Sequence, residues 1–236
     1  YSGSVYKAPV AHTGRTTTPD LDPTYWARQG PTLRQAPFVD YTSTTASATG
    51  TLTYVLQPGF FDGVNLYKPV GSAYSITVKN APGGTVTASQ SGDLYAQALG
   101  LWELAFAPLP VLEKVTLDNI PISPTAEVTI TITNGASGPV AVGDIKVGGW
   151  RLLTGDAAAF GGVEYGAQGE RKTYTTRKYN LDGTYTTVKR GSYRDVRCTV
   201  VLDAEQAMYL DATLAEITDV TVPFEASGLA RYGYLS

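Results

Sequence analysis

The chain has 236 residues, a formal net charge of −3 and a single cysteine. This length suits one large or two modest domains, and one cysteine excludes an intramolecular disulfide. Apolar residues make up 43% and charged residues only 17%, which excludes a disordered acidic or basic tail protein.

The 25 glycines, the 16 tyrosines and the many threonines favour β structure, because Tyr and Thr suit pleated surfaces. No segment approaches the roughly 18 apolar residues of a membrane span. The start "YSGSVYKAPV" lacks the basic region and apolar run of a secretory signal. We therefore expect a mainly β protein without membrane insertion.

Residues 1–47 are rich in Pro, Thr, Gly and Ser, which predicts an extended N-terminal arm or the remnant of a small β module. Within "DPTYWARQGPTLRQAP", Trp26 is expected to anchor the junction between this arm and the folded region. Pro23 and Pro31 would stiffen the path on either side. The only histidine, His12, is interpreted as a solvated loop residue.

Residues 48–150 contain short alternating runs separated by turn residues. In "AYSITVKN" the alternation places Ile76 and Val78 on one face, and "AEVTITIT" is the clearest strand of the chain. Pro108 and Pro110 cannot donate to a ladder, so they indicate an edge or a connection. The segment "GPVAVGDIKVGGW" predicts one more strand. About seven or eight short strands at close spacing predict an antiparallel β-sandwich, jelly-roll-like in type.

Residues 151–236 are predicted to form a small α+β unit with one helix. Asp182-Gly183 between two Thr- and Tyr-rich runs indicates a β-hairpin, and a third strand is expected at about 193–202. Cys198, in that alternating run, is interpreted as a small buried residue.

The predicted helix follows this third strand. Asp203 is expected to cap it, with Gln206 three residues later. Ala207, Leu210, Leu214 and Ile217 follow at helical spacing. A last strand, "DVTVPFEA", is expected to close the unit.

Opposite charges separate along this second unit. The hairpin carries a basic patch and the helix an acidic one. The basic patch consists of Arg171, Lys172, Arg177, Lys178, Lys189, Arg190 and Arg194, and the acidic patch of Asp203, Glu205, Asp211 and Glu216. The two patches either neutralise each other within one fold or meet between neighbouring subunits of a head-to-tail ring. Nucleic acid is a less favoured partner, because the net charge is negative and no recognised binding motif is present.

Catalytic signatures are missing from the sequence. It contains no H-E-x-x-H, no C-x-x-C and no phosphate-binding loop, so we expect no enzyme activity, no metal and no cofactor. A glycosidase would need only two carboxylates, and Asp62, Asp93, Glu103 and Asp118 are the candidates that remain. Asp20 and Asp22 could offer oxygen ligands to calcium, although such pairs near prolines more often form turns.

The order of several short motifs resembles a family of tailed-bacteriophage structural proteins, described as phage carbohydrate-binding or tail-associated proteins. The matching pieces are Asp22-Pro23, Tyr25-Trp26, Gly30-Pro31-Thr32, Arg34, "YNLDGTYTTVKR" and "VVLDAEQ". In that family the first motif joins a small aromatic-rich module to a β-sandwich. Relatives have a longer upstream module, of which "YSGSVYKAPVAHTGRTTTPDLDPTYW" resembles the final part.

The resemblance implies a structural component of a virion tail, at the tail tip, the baseplate or the fibre attachment. Such a protein would be assembled in the host cytoplasm as a ring-symmetric homo-oligomer with other virion proteins. The alternative that the resemblance implies is carbohydrate binding. In that case Tyr6, Tyr25 and Trp26 would stack on the sugar faces of a host surface polysaccharide.

Overall fold

The computed structural model describes residues 3–9, 11–14, 16–39, 45–95, 100–106, 111–151, 162–164, 166, 168–179, 184–188, 192–202, 204–218, 220 and 222–224. The protein is mainly β, with antiparallel sheets. It divides into two compact units, Tyr1–Trp150 and Arg151–Ser236.

Among its described residues, the first unit contains short strands, one short helix and one 3-10 turn. The strands are β1 Ser4–Lys7, β2 Ala27–Pro31, β3 Ala46–Thr49, β4 Thr51–Leu56, β5 Gly63–Tyr67, β6 Ala73–Lys79, β7 Val86–Asp93, β8 Lys114–Leu117, β9 Glu127–Thr133, β10 Pro139–Val142 and β11 Asp144–Gly148. The helix α1 is Leu101–Phe106 and the 3-10 turn is Ala36–Phe38. The strands β4 to β11 fit the number expected from the sequence.

Three of the sheets share one hydrophobic core. They are a four-stranded sheet in the order β4-β9-β6-β7, a three-stranded sheet in the order β11-β5-β8, and the pair β10-β3. Buried side chains from all three belong to one cluster, among them Ile76 and Ile130, Leu66 and Ile145, and Val140. The core therefore lies where the apolar faces of these sheets meet.

Strict alternation explains the four-stranded sheet. In β9 the side chains of Val128, Ile130 and Ile132 are buried, while the threonines between them are partly exposed. Strand β6 repeats the pattern with Ile76 and Val78. A period of two places alternate residues on one face, so the predicted orientation of both strands is confirmed.

The segment "GPVAVGDIKVGGW" forms two strands instead of the single one predicted. Strand β10 pairs with β3 and strand β11 pairs with β5, so the chain changes sheet between Val142 and Asp144. Gly143 lies at the change, where an added Cβ would lie 3.2 Å from the carbonyl oxygen of Tyr67. The sequence pattern reads as one strand, but a close approach of two backbones at Gly143 separates it into two.

The helix α1 was not expected from the sequence, which indicated an edge or a connection. Leu, Glu and Ala are good helix formers, and they dominate "LWELAF". Pro108 and Pro110 lie outside the described residues.

The N-terminal segment contains an antiparallel pair, β1 with β2. Its 3-10 turn buries Ala36 and Pro37. The ring of Phe38 packs edge-on against that of Tyr54, with centroids 5.6 Å apart. Because Tyr54 belongs to the core, this contact attaches the end of the segment to the sheets.

The second unit contains a chain of strand pairs, a 3-10 turn and a helix. Its strands are β12 Gly162–Val163, β13 Gln168–Thr173, β14 Thr176–Tyr179, β15 Tyr185–Val188, β16 Ser192–Arg197 and β17 Val200–Val201. The 3-10 turn is Ala204–Gln206 and the helix α2 is Ala207–Ile217. The helix is confirmed but begins after Gln206, and Asp203, its expected cap, lies outside the described residues. Val220 and residues 222–224 carry no strand, so within those positions the expected closing strand is wrong; Pro223 has no N–H to donate.

Candidate assembly surfaces

The described strands of the second unit pair successively between residues 162 and 201, and we call these strand pairs the ribbon. Its three successive antiparallel pairs are β12 with β17, β13 with β16 and β14 with β15. The predicted hairpin is the far end of this ribbon, and its turn at Asp182-Gly183 lies outside the described residues. The expected third strand does not extend the hairpin into a sheet, because β16 and β17 pair with β13 and β12 instead.

Most described side chains of the ribbon are exposed on both faces. All four residues of β14 are exposed, and so are most of β13 and β15. Large rings are among them: Tyr174 is 62%, Tyr179 70% and Tyr185 58% exposed. An isolated two-stranded ribbon is marginally stable in water, so this surface is suited to contact with another molecule.

An ion-pair network joins the two strands near the base of the ribbon. Nζ of Lys172 donates to Oδ2 of Asp195 at 2.7 Å, and Nη2 of Arg197 donates to the same oxygen at 3.3 Å. Glu170 lies 3.9 Å from the Lys172 ammonium. The hydrogen bond from Lys172 is the main cause that lowers the pKa of Asp195, with the positive charges of Lys172 and Arg197 adding to it.

This network divides the predicted basic patch. Lys172 is half-buried and engaged within the ribbon, so it is not simply a patch residue. Arg171, Arg177 and Lys178 are exposed on the ribbon. Arg194 is registered opposite Arg171, and Lys189 and Arg190 lie outside the described residues.

The far end of the ribbon carries what we call the tip cluster: Arg177, Tyr179 and Tyr185. Tyr179 and Tyr185 are directly opposite in register, and their ring centroids are 6.0 Å apart. The guanidinium carbon of Arg177 lies 5.6 Å from the centroid of the Tyr185 ring, a cation–π distance. The cluster therefore presents two exposed rings and a positive charge on one face.

The predicted acidic patch lies on and before helix α2. Glu205, Asp211 and Glu216 are exposed, and Asp203 lies outside the described residues. Glu216 accepts hydrogen bonds from both terminal nitrogens of Arg151, within the same unit. Glu216 is thus paired with a cation of its own chain. Asp211, by contrast, forms no salt bridge with any described residue.

Beside the helix lies a shallow depression of about 290 Å³, which we call the helix groove. It is lined by Leu202, Ala204, Ala207, Leu210, Asp211 and Leu214. Leu214 is 42% exposed, and the one fully buried side chain of the helix is Thr213. The apolar residues whose spacing predicted the helix therefore lie along an exposed groove in the described part of the chain, and Asp211 lies at its edge.

The predicted glycan-binding residues lie in the N-terminal segment, and the structure brings two of them together. Tyr25 and Trp26 follow a turn in which the carbonyl of Asp22 accepts hydrogen bonds from both of their backbone N–H groups, at 3.2 and 3.1 Å. Both rings are half-buried. Tyr6, also half-buried, lies on β1 and is registered opposite Arg28.

His12 joins this pair, which contradicts its interpretation as a solvated residue. The His12 ring packs edge-on against Trp26, with centroids 4.8 Å apart, and against Tyr25 at 5.5 Å. The indole nitrogen Nε1 of Trp26 is buried and has no hydrogen-bond partner among the described residues. The turn at Asp22 brings Tyr25 and Trp26 to His12. Because these residues are far apart in the sequence, no local pattern predicts the contact.

Cys198 is exposed, so its interpretation as a buried residue is wrong. It lies between β16 and β17, on a ribbon whose described side chains are mostly exposed on both faces, and alternation there does not imply burial.

The described carboxylates weighed for catalysis differ in exposure and in hydrogen bonding. Oδ1 of Asp62 accepts a hydrogen bond from the backbone N–H of Trp150 at 2.6 Å, whereas Asp93 and Asp118 are exposed. The side chain of Glu103 lies outside the described part of the structure. No three His, Cys, Asp or Glu side chains gather as a metal site in the described ranges.

Sequence reasoning missed two apolar surfaces. One is the helix groove, whose signal was the apolar spacing that we assigned to a helix. The other is on α1, where Leu101, Trp102 and Phe106 are 83%, 73% and 70% exposed and the two rings lie 4.4 Å apart. An apolar run with a single charge, "LGLWELAF", was the available signal for the second surface.

No protein-family model, curated protein or solved structure matches the chain. Among the described residues, no helix is long and apolar enough to cross a bilayer.

Proposed function

We propose that the chain is a non-enzymatic structural component of a bacteriophage tail, located at the tail tip, the baseplate or the fibre attachment. It acts by assembling with copies of itself and with other virion proteins. The observation that carries the proposal is the exposed ribbon of residues 162–201. The resemblance to tail-associated proteins supports the tail location. It rests on the order of the motifs around Tyr25-Trp26 and in the ribbon.

The physical argument concerns what keeps such a ribbon ordered. Two strands without a covering layer are marginal in water, and the described ribbon side chains bury little surface within their own unit. Neighbouring subunits in an assembled particle would cover those faces. An assembly role therefore explains how the exposed ribbon stays ordered, because contacts with other subunits would cover it.

The finer architecture belongs to the same proposal. The four-stranded and three-stranded sheets would be the two layers of a jelly-roll-like sandwich around the shared core. The segment before β3 would be the N-terminal arm, attached to those layers through Phe38 and Tyr54.

Purified virions test the proposal. Mass spectrometry of the particles and an electron-microscopy map of the whole virion should place this protein in the tail, in several symmetry-related copies. Its absence from washed particles, or its density in the head shell, would contradict the proposal.

Carbohydrate binding is the second candidate, and the contact of the Tyr25 and Trp26 rings with His12 favours it. Half-exposed aromatic rings held in a fixed arrangement can stack on sugar faces. The test is binding of host surface polysaccharide by the full chain and by Trp26→Ala. Trp102→Ala is a matched control, because Trp102 is 73% exposed and lies on helix α1, outside the N-terminal segment. Glycan binding requires that wild type and the control bind while Trp26→Ala does not; equal binding by all three contradicts it.

A further inference from the structure

The tip cluster and the helix groove have complementary chemistry. We propose that the tip cluster of one copy docks into the helix groove of a second copy, with Arg177 facing Asp211. This inference rests on the proposed function, since it names the partner in assembly as another copy of the same chain.

The tip cluster supplies the anchor. Tyr179 and Tyr185 are 70% and 58% exposed, although Tyr rings gain most when one face is buried and the hydroxyl finds a partner. The guanidinium of Arg177 lies against the Tyr185 ring, which holds the charge beside the apolar surface. Aromatic residues and Arg are the types enriched at the centres of protein interfaces.

The helix groove supplies the receptor. Helix α2 lines it with the side chains of Ala207, Leu210 and Leu214, and its one acidic residue is Asp211. Ala207, Leu210 and Leu214 lie on one face because positions three, four and seven apart coincide on a helix. The volume of about 290 Å³ is small for a drug-sized ligand and suits protruding aromatic side chains.

The occupant must come from a second copy. Within one copy the tip rings stay exposed and Leu214 stays 42% exposed, so the tip does not fill its own groove. The charges match, because Arg177 at the tip has no carboxylate partner and Asp211 has no cation among the described residues. Glu216, by contrast, is bound by Arg151.

The docking mode has a consequence for symmetry. Each copy offers one tip and one groove, and these are different surfaces. Such a head-to-tail contact generates a closed ring when the rotation closes, and a filament when it does not. A ring agrees with the oligomer expected from the charge separation in the sequence.

The test measures self-association of the full chain by analytical ultracentrifugation. Arg177→Glu and Asp211→Lys should each raise the dissociation constant at least about tenfold, because each leaves like charges facing across the contact. The combined variant should recover much of the affinity. The controls are Lys7→Glu on β1 and Asp93→Lys on β7, which make the same charge changes at exposed positions of the first unit, outside both the tip cluster and the helix groove. Both should associate like wild type.

Cross-linking locates the contact between copies. In a Cys198→Ser background, chains with Tyr179→Cys are mixed with chains carrying Ala207→Cys. A disulfide between the two kinds of chain is expected on oxidation, and a mixture of Lys178→Cys with Ala207→Cys should give much less.

The outcomes separate this inference from the proposed function. If wild type associates but the charge variants match the controls, or the combined variant recovers nothing, the docking mode is wrong and an assembly role stands. If wild type stays monomeric at every concentration, the docking mode is also overturned. The location of the protein in the virion decides the proposed function independently of both results.

Discussion

Lys172 and Asp195 join the two strands of the ribbon through a hydrogen bond of 2.7 Å between the ammonium and a carboxylate oxygen. Lys172 is on β13 and Asp195 on β16, and neither residue is at the position directly opposite the other. The bond therefore runs diagonally across the ribbon and links residues 23 apart in the sequence.

The first prediction concerns the pKa of Asp195. Lys172→Met should raise it toward its ordinary value of 3.8, because the hydrogen bond from Lys172 is the main cause of its lowering. Carboxyl NMR titration of the wild type and the variant measures the change. Lys178→Met, which removes an exposed charge on β14, should leave this titration as in wild type.

The sign of the pH effect follows from that direction. A lowered pKa means that ionised Asp195 stabilises the folded ribbon, and this contribution is fully present above the ordinary value of 3.8. It is lost as the pH falls through the lowered folded pKa. Acid should therefore loosen the ribbon of wild type more than that of Lys172→Met, and equal acid sensitivity of the two would contradict the assignment.

The second prediction concerns Tyr54 at alkaline pH. Burial raises the pKa of Tyr54 above 10.0, against a smaller opposing effect of Arg34. The unfolded chain therefore ionises first, and the stabilising contribution is lost as the pH rises from 10.0 through the folded pKa. The free energy of unfolding should decrease less steeply in this range for Tyr54→Phe than for wild type.

Denaturant titrations at several alkaline pH values measure that slope. Val55→Ala is the control, because Val55 lies on the same strand, is 53% exposed and carries no titratable group; this variant should keep the pH dependence of wild type. A slope for Tyr54→Phe equal to that of wild type would show that burial does not govern the ionisation of Tyr54.

The alternation in β6 and β9 allowed the sequence to predict both strands and the faces that they bury. Each strand has one apolar and one polar face, so a shift by one residue would expose every Ile and Val. Sequence pattern and packing agree there. The same local pattern predicted the hairpin of the ribbon, because Asp-Gly between Thr- and Tyr-rich runs favours a tight turn.

Burial was not predictable in the second unit. The spacing of Leu210 and Leu214 identifies the apolar face of α2, but a period says nothing about what covers that face. Cys198 shows the same limit on a ribbon with two exposed faces. The contact of His12 with Trp26 depends on a turn at Asp22 that brings together residues 14 positions apart in the numbering, which no local pattern encodes.

The third prediction compares two glycines with positive φ. Gly50 has φ +78°, and an added Cβ would lie 2.7 Å from the carbonyl oxygen of Ala136. Gly59 has φ +84° with open space around it. An Ala at either position costs about 1–2 kcal/mol for the left-handed conformation, and Gly50→Ala must also displace a backbone oxygen. Chemical denaturation should therefore show a larger loss of unfolding free energy for Gly50→Ala, and equal losses would contradict the close approach.

The fourth prediction concerns the centre of the core. Ile130 is 1% exposed and lies on β9 between Tyr54 of β4 and Ile76 of β6. Truncation there removes buried methyl groups and leaves a cavity, so Ile130→Ala should lower the free energy of unfolding by about 2–5 kcal/mol. Denaturant titration of the full chain measures this loss for the first unit.

The matched control for that truncation is Val55→Ala. Val55 lies on β4, the strand that pairs with β9, but its side chain is 53% exposed. A surface truncation of this kind should change the free energy of unfolding by less than about 0.5 kcal/mol. Similar losses for Ile130→Ala and Val55→Ala would mean that the cluster of buried residues does not hold the sheets together, because only the buried position should leave a cavity.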